Sequence, residues 1–294
     1  MPSSQGRSGG WWSSLKAFII APLIFLIVLG GIFAYSGVWP PMVVIESKSM
    51  QHADDSAIGV IDTGDIVVVK EVSSLGQVTT YLEGVATGHS TYGEPGDVVI
   101  YYKAGMSKPI IHRALVGVVY NSTGGGFDIP ELAGVPASMW SVPGEEKRWW
   151  NLQDSVELYD IGYLGVTVVL DLKAMLDFMT SPTYSGQPHG GIITMGDNNW
   201  YTGTDGTLQG KYDQKWISAV REPIKEEWII GKARGELPWF GLIKLYATGS
   251  APDYTPKNSQ VNLVIALVLI ITVPVAVDML VDRYRKRKGQ RGKG

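Results

Sequence analysis

The sequence predicts a mainly β domain, enlarged by an inserted α+β lobe and flanked by two transmembrane helices. Three observations carry this. Uncharged apolar segments lie near both ends of the 294-residue chain; between them, short β-branched runs are separated by Gly, Asp and Pro; and residues 121–190 interrupt that rhythm. A chain of this length buries one sizeable core, or one core with an inserted lobe.

The N-terminal tail, residues 1–16, carries Arg7 and Lys16 and no acid, and residues 17–38 carry no charge at all. That run is long enough to cross a bilayer as a helix. It exceeds a cleavable signal's apolar stretch and no Ala-x-Ala site follows, so it reads as an uncleaved signal anchor. From Met42 to Lys70 two strands are expected, Met42–Ile45 and Ile66–Val69, divided by Gly and Asp turn signals. Residues 71–95 are polar and Gly-rich and read as a loop or an excursion from the sheet. Asp97–Tyr102 and Ile110–Tyr120 read as a second strand pair around a Gly105-Met106-Ser107-Lys108-Pro109 turn.

Residues 121–190 read as an accessory insertion. They hold a Gly124–Gly126 turn, a polar segment around Trp149-Trp150, and Asp171–Met179 with helical periodicity; Val166–Leu170 is a strand or the start of that helix. Strand patterns resume at Gly191–Met195, Trp228–Ala233 and Leu242–Leu245. Residues 258–281 are the second expected span, with Pro274 inside, and 282–294 form a basic tail containing Arg283, Lys286, Arg291 and Lys293.

Basic flanks stay in the cytoplasm, so both termini are expected inside and residues 39–257 outside, at the plasma membrane. Of the 25 basic residues 16 lie in that segment, and of the 28 acidic residues 26 do, so it carries about −10. Nucleic acid is therefore excluded as a partner, since phosphate binding needs clustered cations. The chain has no cysteine, which excludes disulfides, thiol nucleophiles and thiolate metal sites. No His, Asp or Glu spacing suggests a metal site and no Gly-rich loop suggests a phosphate, so no cofactor is expected. Asn121-Ser122-Thr123 is an N-glycosylation sequon on the expected outer side.

Ser49-Met50 follows the apolar run Pro41–Ile45 and sits about ten residues beyond the first span, with His112-Arg113 and Gly196-Asp197-Asn198-Asn199 downstream. Serine, histidine and aspartate are the parts of a nucleophilic hydrolase. Glu46-Ser47-Lys48-Ser49-Met50 resembles the Ser-x-Ser-Met box of type I signal peptidases. In the same order as in that family come Gly64-Asp65 with its strand, Gly96–Tyr101, Ile110–Arg113, Ile193–Asn199 and Gly231–Gly241. The boxes cover about half of residues 39–257, and the family's Pro after the serine is replaced by Gln51-His52.

The resemblance implies a β catalytic core of the signal-peptidase kind, with Ser49 as nucleophile and with the Ser47 hydroxyl and the Ser49 amide as oxyanion donors. It places His112 where archaeal and endoplasmic-reticulum members have a histidine base and bacterial ones a lysine. The acid is then Asp197 or a later aspartate. The spacing departs from the family here, leaving Asp213, which is favoured, and Asp205; Asp197 is a second catalytic candidate, or supports Arg113. His52, His89 and His189 read as surface residues. Trp239-Phe240 either dips into the outer leaflet beside Met50 or packs in the core. The implied partners are signal peptides of preproteins, membrane lipid and the protein translocation channel. Two rivals stand: the same fold with a Ser-Lys dyad through Lys103 or Lys108, and a non-catalytic binding module that uses the insertion as its surface.

Overall fold

The computed structural model describes residues 9–291; Arg7, Lys293 and Gly294 of the expected tails lie outside the described residues. An 11-stranded sheet dominates, with a separate two-stranded hairpin. In chain order the strands are β1 (Met42–Val44), β2 (Ile66–Lys70), the hairpin β3 (Ser90–Thr91) and β4 (Glu94–Pro95), β5 (Val98–Tyr101), β6 (Ile110–Asn121), β7 (Gly126–Asp128), β8 (Trp140–Ser141), β9 (Ser155–Ile161), β10 (Val166–Asp171), β11 (Gly191–Thr202), β12 (Leu208–Tyr212) and β13 (Ile229–Leu237). The α-helices are α1 (Gly9–Ser36), α2 (Tyr81–Thr87), α3 (Leu172–Met179), the single turn α4 (Asp213–Trp216), α5 (Gly241–Ala247) and α6 (Lys257–Arg291).

Across the sheet the order is β1-β2-β13-β5-β6-β11-β12-β10-β9-β8, with β7 added to β6. The β10–β12 contact is parallel and the other ladders are antiparallel. Alternation of side chains sets which residues enter the core. In β2 it buries Val67 and Val69, and in β10 it buries Val166, Val168 and Leu170.

The expected mainly β core with α+β additions is present, with corrections at 71–95, at Leu242–Leu245 and in the insertion. The stretch 71–95 is not merely a loop. Thr80 and Glu83 form a reciprocal capping box that opens α2, and Gly88, at φ +78°, closes it. Leu242–Leu245 is helical rather than extended: Leu242 and Leu245, three apart, turn one face of α5 onto Leu263 of α6. Of the two readings open for Val166–Leu170 the strand is the one present, and it pairs with β9, which the polar appearance of its sequence concealed.

The insertion is also less separate than expected. Phe127, Leu158, Val168 and Met175 share one core with Leu115, Val116, Ile193 and Tyr212 of the strands outside it, and β10 extends the main sheet through β12.

Among the described residues one segment, Lys257–Arg285 of α6, is long and apolar enough to cross a membrane by length and composition. In α1 the apolar segment Pro22–Ser36 is shorter than that, so among the described residues only one of the two expected spans is present by this measure. The end of α1 is tied to the sheet, since Glu71 N–H donates to the Ser36 carbonyl (2.8 Å) and Lys70 Nζ to that of Tyr35 (2.6 Å).

Candidate active site

The serine turn is held by the strands around it. Ile45, at the end of β1, gives its N–H to the Asp65 carbonyl and accepts from Gly64 N–H, both at 2.9 Å. Met50 is 1% exposed and anchors the far side of the turn in a core with Ile61, Val67 and Val98. Ser49 stays half-buried between these two fixed points.

His112 sits on β6 opposite Val99 of β5. Its Nε2 lies 3.0 Å from Ser49 Oγ, and its Nδ1 lies 2.7 and 2.8 Å from the two carboxyl oxygens of Asp213. Asp213 opens α4 immediately after Tyr212, whose pairing with Met195 sets β12 beside β11. Two further donors reach Asp213 Oδ2, the Tyr101 hydroxyl at 2.6 Å and the Thr194 hydroxyl at 2.7 Å. Burial, and then the adjoining carboxylate, pushes the Tyr101 phenol up, so it remains a donor. Two hydroxyls and the imidazole thus converge on the Asp213 carboxyl, which fixes it where it can orient His112.

The Ser47 hydroxyl is 3.2 Å from Ser49 Oγ, and among the described residues the Ser49 N–H serves no internal acceptor. Both thus lie beside Ser49 Oγ. A cleft of about 940 Å³ opens from this point, walled on one side by Met42–Ile45 and on the other by Pro109–His112, with Ile100 between. Among the described residues β1 pairs only with β2, so its other edge is unpaired there. Pro41 and Ile45 bond toward β2 and the Asp65 turn, which leaves the alternate residues Met42 and Val44 with backbone groups facing the cleft.

Asp197 belongs to a different cluster. Its carboxylate takes Arg113 Nε at 2.8 Å and Nη2 at 2.6 Å, and His52 Nε2 lies 3.0 Å away. Burial opposes its charge, but Arg113 outweighs this and holds the carboxyl below its ordinary value. Arg113 in turn donates to the carbonyls of Thr91, Glu94, Pro95 and Gly96, tying down the β3–β4 hairpin. Among the described residues Asp197 has no hydrogen bond to His112, which corrects its candidacy as a catalytic acid. Asp205 is excluded by position, since it is exposed in the β11–β12 turn, capping Thr207 N–H at 3.0 Å.

Neither lysine candidate is near Ser49 Oγ in the hydrogen-bond network. Lys103 Nζ pairs with Glu222 at 2.7 Å, and Lys108 with Glu46 at 2.5 Å. The three remaining histidines are not plain surface residues, because each is half-buried beside a carboxylate: His52 at Asp197, His89 at Asp97 and His189 at Glu222. Trp239 and Phe240 pack with Leu242, Leu245 and Leu263, apart from the core holding Met50, and the Trp239 indole donates to Ser56 Oγ at 3.0 Å.

No protein-family model and no curated protein sequence matches this chain.

Sequence reasoning missed Tyr101, Thr194 and Asn198. The first two come from strands whose apolar pattern hides a polar contact. Asn198 is visible as part of the Gly-Asp-Asn-Asn box, but its duty depends on a bulge. Between Met195 and Trp200 the β11–β12 register shifts, and there Asn198 N–H donates to the Ser49 carbonyl at 2.8 Å. Among the described residues no group of three or more His, Asp or Glu side chains is gathered for a metal ion.

Proposed function

We propose that this chain is a membrane-anchored serine endopeptidase of the signal peptidase I type, of the archaeal or endoplasmic-reticulum branch, which removes N-terminal signal peptides from exported preproteins. The observation that carries this is the unbroken hydrogen-bonded line Ser49–His112–Asp213 at the end of an apolar cleft with a free strand edge. An extended peptide adds to β1 through the backbone groups of Met42 and Val44, and the apolar walls accept small side chains before the scissile bond.

In the reaction, Ser49 Oγ attacks the scissile carbonyl carbon while His112 Nε2 takes its proton. Asp213 stabilises the imidazolium, and the Ser49 N–H and Ser47 hydroxyl receive the oxyanion. His112 then protonates the leaving amine, and water resolves the acyl-enzyme by the same route. Residues 17–38 and 258–281 are the two membrane spans of this reading, with both termini in the cytoplasm and the cleft outside, where lipid and the translocation channel deliver substrate. Anchoring holds enzyme and preprotein in one plane and raises their effective concentration.

The Ser-Lys alternative is disfavoured by the pairing of Lys103 and Lys108 with acids away from Ser49. The deciding experiment incubates detergent-solubilised protein with a preprotein, comparing wild type with Ser49→Ala. Cleavage by the wild type alone is expected. Equal processing by both, or by neither, would end the proposal and leave the binding-module reading.

A further inference from the structure

We infer that the insertion supplies a positioning residue for this reaction: Tyr163, at the tip of the β9–β10 hairpin, holds the nucleophile turn in place through Asn198 and His52. The inference rests on the peptidase reading. It gives residues 121–190, which the resemblance to signal peptidases leaves unmatched, a task at the site.

The hairpin tip is built to reach. Asp160, Gly162 and Gly165 all adopt positive φ, closing a tight turn, and the Tyr81 hydroxyl accepts the Gly162 N–H at 3.0 Å, which pins the tip against α2. From that turn Tyr163 makes two contacts outside the insertion. Its hydroxyl donates to Asn198 Oδ1 at 3.1 Å, and its ring stacks on His52 with centroids 4.3 Å apart and planes 18° from parallel.

Both partners grip the segment that carries Ser49. Asn198 N–H donates to the Ser49 carbonyl at 2.8 Å and its Nδ2 to the Lys48 carbonyl at 3.1 Å. That second bond requires the amide nitrogen to face Lys48 and the oxygen to face away. The Tyr163 hydroxyl and the Trp200 indole, each 3.1 Å from Asn198 Oδ1, are the donors that select this orientation. His52 lies three residues after the nucleophile and is fixed on one side by Asp197 at 3.0 Å and on the other by the Tyr163 ring. Tyr163 therefore braces the turn from both ends, and among the described residues it has no hydrogen bond to Ser49 or His112. A serine held 3.0 Å from its base loses rate steeply when its turn drifts.

The test uses the full-length chain in detergent with one preprotein, and measures kcat, KM and melting temperature for wild type, Ser49→Ala, Tyr163→Ala, Tyr163→Phe and Leu164→Ala. Tyr163→Ala should lower kcat about ten- to hundred-fold with KM within about two-fold and melting temperature nearly unchanged, because a displacement of the nucleophile acts on chemistry more than on binding. Tyr163→Phe, which keeps the stack and loses the hydroxyl, should fall between. Leu164→Ala, exposed on the same tip, should match wild type. Wild-type kcat in either folded Tyr163 variant, or a loss confined to KM, overturns the inference. If Tyr163→Ala does not fold, Tyr163→Phe alone decides. Failure of the peptidase reading looks different: the wild type does not cleave, or Ser49→Ala cleaves as well.

Discussion

At the residue scale the arrangement turns on one carboxylate. Asp213 Oδ2 is 2.7 Å from His112 Nδ1 and also accepts from Tyr101 and Thr194. Asp213→Asn should keep the fold and lower kcat about 10³–10⁴-fold by favouring the wrong imidazole tautomer, whereas Asp205→Asn should match wild type. Rates and melting temperatures of the two variants check this, and an inactive, folded Asp205→Asn would contradict the geometry. Tyr101→Phe and Thr194→Val each remove one donor from the carboxylate. The carboxylate is then held less firmly beside His112 Nδ1, so both variants should lower kcat about ten-fold with KM nearly unchanged. A purely structural role for these hydroxyls predicts a lower melting temperature with kcat in place.

At the scale of elements, Glu222 ties the end of the insertion to the β5–β6 turn beside the cleft. It is buried and accepts from Lys103 Nζ at 2.7 Å, from His189 Nε2 at 3.0 Å, and from the Tyr184 hydroxyl. Burial opposes its charge, but His189 and Lys103 outweigh that and bring its carboxyl down to about 2. A carboxyl depressed in the folded state stabilises the fold above its unfolded value, and that contribution is lost as pH falls from about 4.5 toward about 2. Glu222→Gln should lower the melting temperature at neutral pH and flatten its decline over that acid range; an unchanged slope would show that the contact does not couple to folding. None of this contact network was legible in the sequence. Strands with β-branched runs, such as β2, β5 and β6, were legible because alternation and turn residues are local. So was α3, through its apolar spacing behind the Asp171 cap. Ser49 and His112 were legible through a resemblance and not through periodicity. The choice of Asp213 over Asp205 depended on the β11–β12 hairpin, which absorbs the extra residues and returns the chain to His112. The helix α5 was misread because a short apolar run carries no period of its own; its partner Leu263 is distant in sequence.

At the scale of the molecule, charge and hydropathy are divided in a way that bears on where the chemistry happens. Residues 39–257 carry about −10, while the basic residues outside them cluster in the two tails. Lys257–Arg285 has the length and composition of a span. α1 ends at Ser36 against β2, three residues before the segment that leads to the cleft begins, so whichever side of a membrane receives the sheet also receives Ser49. If the positive flanks stay inside, that side is the outer one. A protease added to sealed cells should then cut the folded parts of 121–190 and 71–95 only slowly, because they are held in α2, the β3–β4 hairpin and the shared core, and the exposed turns at Gly105 and, within the insertion, at Gly144 are better sites. A tag appended at Gly294 should remain intact and unlabelled until the membrane is permeabilised. Labelling of that tag from outside, with the turns protected, would invert the topology. It would also put the cleft on the cytoplasmic face, where a peptide emerging from a translocation channel could not reach it.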